Sequence, residues 1–145
     1  MATPLRTRCI DGGDLGELVD AGHNRDVVRY LSEHRPPCHS DTGEALLRAA
    51  AEKCGEWIAY SPSFAQLRYV ALVTNRRVFA LGIGQSWVCY RLSHESYPIA
   101  LQTGATEAGE IGPDWVRFTL FRADWPTPDL LFWTLRAYAA AREDG

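Results

Sequence analysis

The sequence predicts one α+β domain, an antiparallel meander sheet of about four or five strands packed against N-terminal helices and a C-terminal helix. Three observations support this prediction. Apolar residues recur at helical spacing in the first third of the chain, β-forming residues separated by tight turns fill the middle, and a second helical pattern closes the sequence. Strands joined by short turns pair antiparallel, so the helices are expected to cover the sheet on one face.

The helical N-terminal part is predicted over residues 14–55 and comprises three helices. Asp14, Asn24 and Asp41 stand where a polar side chain is expected to cap a helix, and Pro36 ends the second helix. The apolar faces of the three helices are Leu15, Leu18 and Val19, then Val27, Val28 and Leu31, then Leu46, Leu47 and Ala50.

The sheet and closing helix are predicted over residues 56–142. Predicted strands cover 67–74, 78–83, 87–92 and 115–121, with a tight turn at Asn75-Arg76. Residues 93–113 lack periodicity and are predicted as a loop with a short helical turn. Thr127 is the predicted cap of the last helix, whose core face is expected to be Leu131, Leu135 and Tyr138.

At 145 residues the chain is predicted to be a single domain, 1–145, and its net charge of −3 argues against a general polyanion binder. Basic residues are almost all arginine, which fits a GC-rich genome better than a dedicated recognition surface. One stretch, 57–94, nevertheless contains no Asp or Glu. A sheet built from it would carry a positive field that favours an anionic partner. Its arginines are Arg68, Arg76, Arg77 and Arg91.

The N-terminal sequence lacks the apolar core of a signal peptide, and no apolar stretch is long enough to span a membrane. These features predict a cytoplasmic protein with no membrane partner. In that compartment its four cysteines are expected to be free thiols. No cofactor is predicted.

The segment His34-Arg-Pro-Pro-Cys38-His39 concentrates residues of the type that bind zinc or activate a thiol. His34, Cys38 and His39 could supply three ligands, with Cys9 or His23 as a fourth. Paired ligand spacing is absent, so an ordinary loop between helices is the favoured interpretation. Cys38 beside His39 is the one candidate nucleophile, and catalytic pairs normally form across a fold rather than between neighbours.

Four tryptophans, Trp87, Trp115, Trp125 and Trp133, fall in the last part of the chain, and most are expected to be core residues. Strand alternation places Trp87 and Arg91 on one face, and Arg117 could face them from the next strand. Such an aromatic and arginine surface could anchor a partner protein or hold nucleic-acid bases and phosphates.

Residues of about 44–142 resemble the MmcQ/YjbR-like family of small α+β domains. The resemblance rests on a helix ending at Gly55, then Arg77-Val78-Phe79-Ala80-Leu81, Arg91-Leu92, Trp115 and Ala137-Tyr138 in that order. The family usually has a Lys and a Pro-Glu pair where this chain has Ser93-His94-Glu95. It implies an α+β fold and a DNA-binding-like role, and it assigns no catalytic residues.

No established catalytic motif occurs in the sequence, so a binding domain is favoured over an enzyme. The leading hypothesis is binding of a protein partner or a homodimer. The alternative is nucleic-acid binding, and a zinc- or cysteine-dependent enzyme using His34, Cys38 and His39 ranks third. The predicted binding residues are Arg68, Arg76, Arg77, Trp87, Arg91 and Arg117.

Overall fold

A mixed β-sheet lies at the centre of the protein. The computed structural model describes residues 8–121 and 127–143, and this part of the chain contributes seven strands. They are β1 (Cys9–Asp11), β2 (Ile58–Ser61), β3 (Val70–Thr74), β4 (Arg77–Ile83), β5 (Trp87–Arg91), β6 (Thr106–Glu107) and β7 (Trp115–Thr119). Their order is β1-β2-β3-β4-β5-β7-β6. Only the β1–β2 pair is parallel among these strands.

Helical segments pack on both faces of the sheet, so the prediction of a single covered face was wrong. The helices are α1 (Ala21–His34), α2 (Ser40–Lys53), α3 (Ser96–Gln102) and α4 (Leu130–Glu143), with a short 3-10 helix at Leu15–Glu17. Leu46 of α2 and Trp133 of α4 pack on one face, in the same core as Tyr90. Val27 and Leu31 of α1 pack on the other face. Among the described residues, no helix has the length and apolar character needed to cross a membrane.

The sequence missed the two short strands at the edges and the strand β2. Residues 93–113, predicted as a loop with a helical turn, contain α3 and β6. Strands of two or three residues carry too little alternation to be recognised in a sequence. The Asn75-Arg76 turn is confirmed, because both residues have positive φ, as a two-residue hairpin turn requires.

Three predicted helix caps are occupied by other residues. Asp20 caps α1, whereas Asn24 lies inside that helix, and His39 rather than Asp41 caps α2. At the start of α4, Asp129 rather than Thr127 makes the capping bond, since its carboxylate accepts a hydrogen bond from the Phe132 amide at 3.1 Å.

The core face of α4 is also different from the prediction. Trp133, Ala137 and Ala141 are buried, while Leu135 is exposed. The ring of Trp133 packs against Phe118 of β7, with the ring centroids 5.4 Å apart and the planes tilted by 35°. Tyr138 is half-buried, and its hydroxyl accepts from the Glu56 amide.

The buried side chain of Asn24 ties α1 to the start of β4. Its Nδ2 donates to the carbonyl of Arg76 at 3.0 Å and also to that of Asp20, and its Oδ1 accepts from the Val78 amide at 2.8 Å. These bonds satisfy backbone groups of a tight turn that α1 shields from water. Asn24 therefore acts as a structural bridge rather than as a helix cap.

We expect Asn24→Ala to lower the free energy of unfolding by about 3 kcal/mol and the melting temperature by roughly 10 °C, because a buried amide and carbonyl lose their partners. Thermal unfolding followed by circular dichroism measures the effect. Glu33→Ala, at an exposed position of the same helix, is the control and should change stability little. Equal stability of the two variants would show that water replaces the amide without cost.

Candidate interaction site at one end of the sheet

The segment between α1 and α2, residues 36–39, is inserted between the start of β3 and the end of β4. We call it the clamp. It carries no α-helix, and its backbone hydrogen bonds to both neighbours hold that end of the sheet together. The bonds run from Cys38 N–H to Leu67 O (2.7 Å), Tyr69 N–H to Pro36 O (3.0 Å), Gly84 N–H to Pro37 O (2.6 Å) and His39 N–H to Gly84 O (2.8 Å). Both prolines act only as acceptors here, as a residue without an N–H must.

Three large apolar side chains are exposed beside the clamp, and we call them the rim: Leu67, Trp87 and Phe121. Their exposed fractions are 46%, 41% and 62%. The row runs from Leu67 across the clamp, β4 and β5 to Phe121 after β7. With a spacing of about 4.8 Å between neighbouring strands, these four steps span roughly 19 Å. Single exposed apolar residues are ordinary, whereas here three follow one another along one end of the sheet.

The backbone holds two rim residues outward in an unfavourable conformation. Leu67 has φ of 55° and Phe121 has φ of 60°, in the left-handed region that glycine adopts far more easily. At Leu67 this conformation accompanies the hydrogen bond that its carbonyl accepts from the Cys38 amide of the clamp. Strained non-glycine residues of this kind concentrate at functional sites.

Trp87 carries an arginine on its ring. The Arg117 guanidinium carbon lies 4.5 Å from the centre of the Trp87 ring, and the guanidinium also donates to the Glu110 carboxylate. The stacking keeps a half-exposed indole flat against charged groups, and the carboxylate neutralises the cation. The predicted juxtaposition of Trp87 and Arg117 therefore exists, but with an acidic partner that strand alternation did not indicate.

The structure separates the predicted binding residues into two groups. Arg68, Trp87 and Arg117 belong to the rim end, because Arg68 precedes β3 and Trp87 begins β5. Arg76 and Arg77 lie at the opposite end, in the β3–β4 turn and at the start of β4, as does Arg91 at the end of β5. The six residues therefore do not share one surface.

At that opposite end Arg77 is buried rather than offered to a ligand. Its guanidinium lies 3.2 Å from His23 Nε2, and His23 Nδ1 lies 2.9 Å from the Asp20 carboxylate. Hydrogen bonds from the His23 side chain and the Gly22 amide lower the pKa of Asp20. Arg77 is thus linked through the imidazole of His23 to an acidic residue, Asp20, from outside the acid-free stretch.

The three candidate metal ligands do not converge. His34 stacks on Tyr30 and its Nδ1 donates to the Tyr30 carbonyl, while His39 Nδ1 accepts from the Asp41 amide. Cys38 is buried under α2. Within the described ranges, no group of three or more His, Cys, Asp or Glu side chains could hold a metal ion.

Burial also makes the candidate nucleophile unreactive. It raises the pKa of Cys38 to about 11 and that of Cys54 and Cys89 to about 12. A nucleophilic cysteine needs a lowered pKa and a positive environment. These three cysteines are therefore small core residues, as predicted for Cys54 and Cys89.

Sequence reasoning missed Leu67 and Phe121 as site residues. Both fall at the ends of segments that the pattern predicts as strand, where an apolar residue is normally assigned to the core. Their left-handed backbone had no signal in the sequence, because leucine and phenylalanine rarely adopt it. Trp125 lies outside the described residues.

We expect stability to fall above about pH 9, because the unfolded chain releases thiol protons there while the folded chain keeps them. Because the thiol pKa values are higher in the folded chain, the buried thiols contribute their full stabilisation at any pH below the pKa of a thiol in the unfolded chain. This stabilisation is lost as the pH rises through the folded-state values of about 11 to 12. Urea unfolding between pH 7 and pH 11 measures it. Cys54→Ala should show a shallower alkaline decline, and an unchanged slope would contradict the assignment.

In comparisons with protein-family models, curated proteins and solved structures, none matches this chain. The resemblance to the MmcQ/YjbR-like family therefore stays a prediction, and the function is argued from the geometry of the rim.

Proposed function

We propose that this chain is a non-enzymatic protein-binding domain that pairs with a second copy of itself through the rim. The observation that carries the proposal is the exposed row of Leu67, Trp87 and Phe121, two of which are held outward by left-handed backbone. The binding energy of protein interfaces is concentrated in a few such anchors, among which tryptophan and arginine are over-represented.

The chemistry of the rim suits self-association. Most soluble homo-oligomers are dimers in which the same patch meets itself across a two-fold axis. An axis through the rim brings apolar anchors against apolar anchors. The charged groups nearest Trp87, those of Arg117 and Glu110, compensate each other, so two copies do not oppose like charges there.

Nucleic-acid binding ranks second because the arginines are divided between two ends of the sheet. A phosphate backbone is gripped by several cations on one surface. Here Arg77 is buried beside His23, and Arg117 is paired with Glu110. Arg68 and Arg35, near the rim, line one cavity without an acidic residue and are the cations that this alternative would use.

Sedimentation velocity across a concentration series tests the proposal. We expect the wild-type chain to dimerise, and we expect the double variant Trp87→Ser, Phe121→Ser to dimerise at least tenfold more weakly, because each anchor contributes about 2 kcal/mol or more. The dimer should tolerate high salt, since apolar contacts are not screened.

The matched control is Phe132→Ser, Leu135→Ser, which removes two exposed apolar side chains from α4. It should dimerise like the wild type. A chain that stays monomeric throughout, or a rim variant that associates as tightly as the control, would overturn the proposal. Salt-sensitive binding of a monomer to oligonucleotides, weakened by Arg68→Ala, would support the second function in its place.

A further inference from the structure

A cavity of about 330 Å³ opens behind the clamp, between the first two turns of α2 and the loop that leads into β3. We propose that it binds a small organic acid, a molecule with an apolar body and one carboxylate. The site is distinct from the proposed dimer contact, with which it shares only Leu67. The walls include Cys38, Gly43, Leu47, Phe64, Leu67 and Val70.

The walls of this cavity are apolar. Val70 and Cys38 form its buried base, and Leu47 and Phe64 are half-buried at its sides. The burial that raises the pKa of Cys38 shows that the base is poorly solvated. The volume lies within the range of small-molecule sites, which are mostly apolar with few polar groups.

Gly43 contributes to the space in the cavity. It lies in the first turn of α2, and a Cβ atom there would come within 3.4 Å of Val70 Cγ2 and 3.5 Å of Cys38 Sγ. A larger side chain would therefore extend over the base. Both distances are ordinary van der Waals contacts, so an alanine fits at this position and only a longer side chain would take up space in the cavity.

The polar groups at the mouth favour one negative charge. Arg48 is already paired with Glu44, whose carboxylate lies 2.6 Å away. Arg68 also lines the cavity, and its guanidinium has no hydrogen bond or ion pair to any described residue. A carboxylate can accept two parallel hydrogen bonds from such a group, whereas an alcohol or amide cannot neutralise it.

Arg68 is well placed to hold that carboxylate because its backbone is fixed. The residue bridges to Pro37 of the clamp, and its own amide donates to the Ser63 carbonyl at 3.1 Å. The half-buried position also reduces competition from water without enclosing the charge. The geometry thus joins an apolar cavity to an arginine that has no ion pair with any residue the structure describes.

Isothermal titration of the full chain with octanoate tests the inference, with 1-octanol as a neutral molecule of the same length. We expect octanoate to bind at least tenfold more tightly than octanol, and Arg68→Gln to weaken octanoate binding about tenfold.

Two controls make the result specific. Arg29→Gln, on the exposed side of α1, changes the net charge equally and should leave octanoate affinity unchanged. Leu47→Glu should abolish binding, whereas Leu135→Glu on α4 should not.

Absence of octanoate binding, equal binding of octanol, or full affinity in Arg68→Gln would overturn the inference. Trp87→Ser, Phe121→Ser should still bind octanoate, so failure of the dimer and failure of the cavity are distinguishable.

Discussion

The fold depends on the burial of β4 between two layers of helices. All seven residues of this strand are buried, with α2 and α4 against one face and α1 against the other. The strand contacts both layers because its side chains alternate between the two faces, and a bulge interrupts this alternation: Val73 pairs with Val78 and Leu72 with Ala80, which leaves Phe79 as an extra residue on the α2–α4 side. Because both faces of the sheet are used for the core, contact surfaces are left to the ends and edges.

This constraint explains why the candidate sites lie where they do. At one end, the clamp separates β3 from β4 and creates both an outward row of apolar residues and a cavity beneath α2. At the other end, the same strands close through the Asn75-Arg76 turn, which Asn24 ties to α1. One end is therefore satisfied internally by hydrogen bonds, while the other offers apolar surface and a cation. The candidate sites therefore lie at one end of these strands, and the turn that Asn24 ties to α1 lies at the other.

The α+β class, the central strands and the hairpin turn could be predicted because each depends on local pattern: alternation in β4 and β5, and turn residues between β3 and β4. The second helical layer could not be predicted. The periodicity of α1 shows that this helix has an apolar face, but it does not show on which face of the sheet the helix packs. The pairing of Trp87 with Arg117 followed from alternation, whereas Glu110 comes from a segment without periodicity. The positive field expected from the acid-free stretch is reduced at Arg77, because His23 and Asp20, which come from outside that stretch, lie beside it in the fold.

The left-handed backbone at Leu67 and Phe121 has a consequence for how variants of this chain would be selected. Glycine at either position would remove a conformational cost and, after its own entropy loss, stabilise the fold by up to about 1 kcal/mol. A screen that ranks variants only by melting temperature would therefore select glycine at these positions. It would remove two of the three rim side chains while raising the melting temperature. Where large apolar side chains persist at these two positions in natural variants, they would record selection for contact acting against selection for stability.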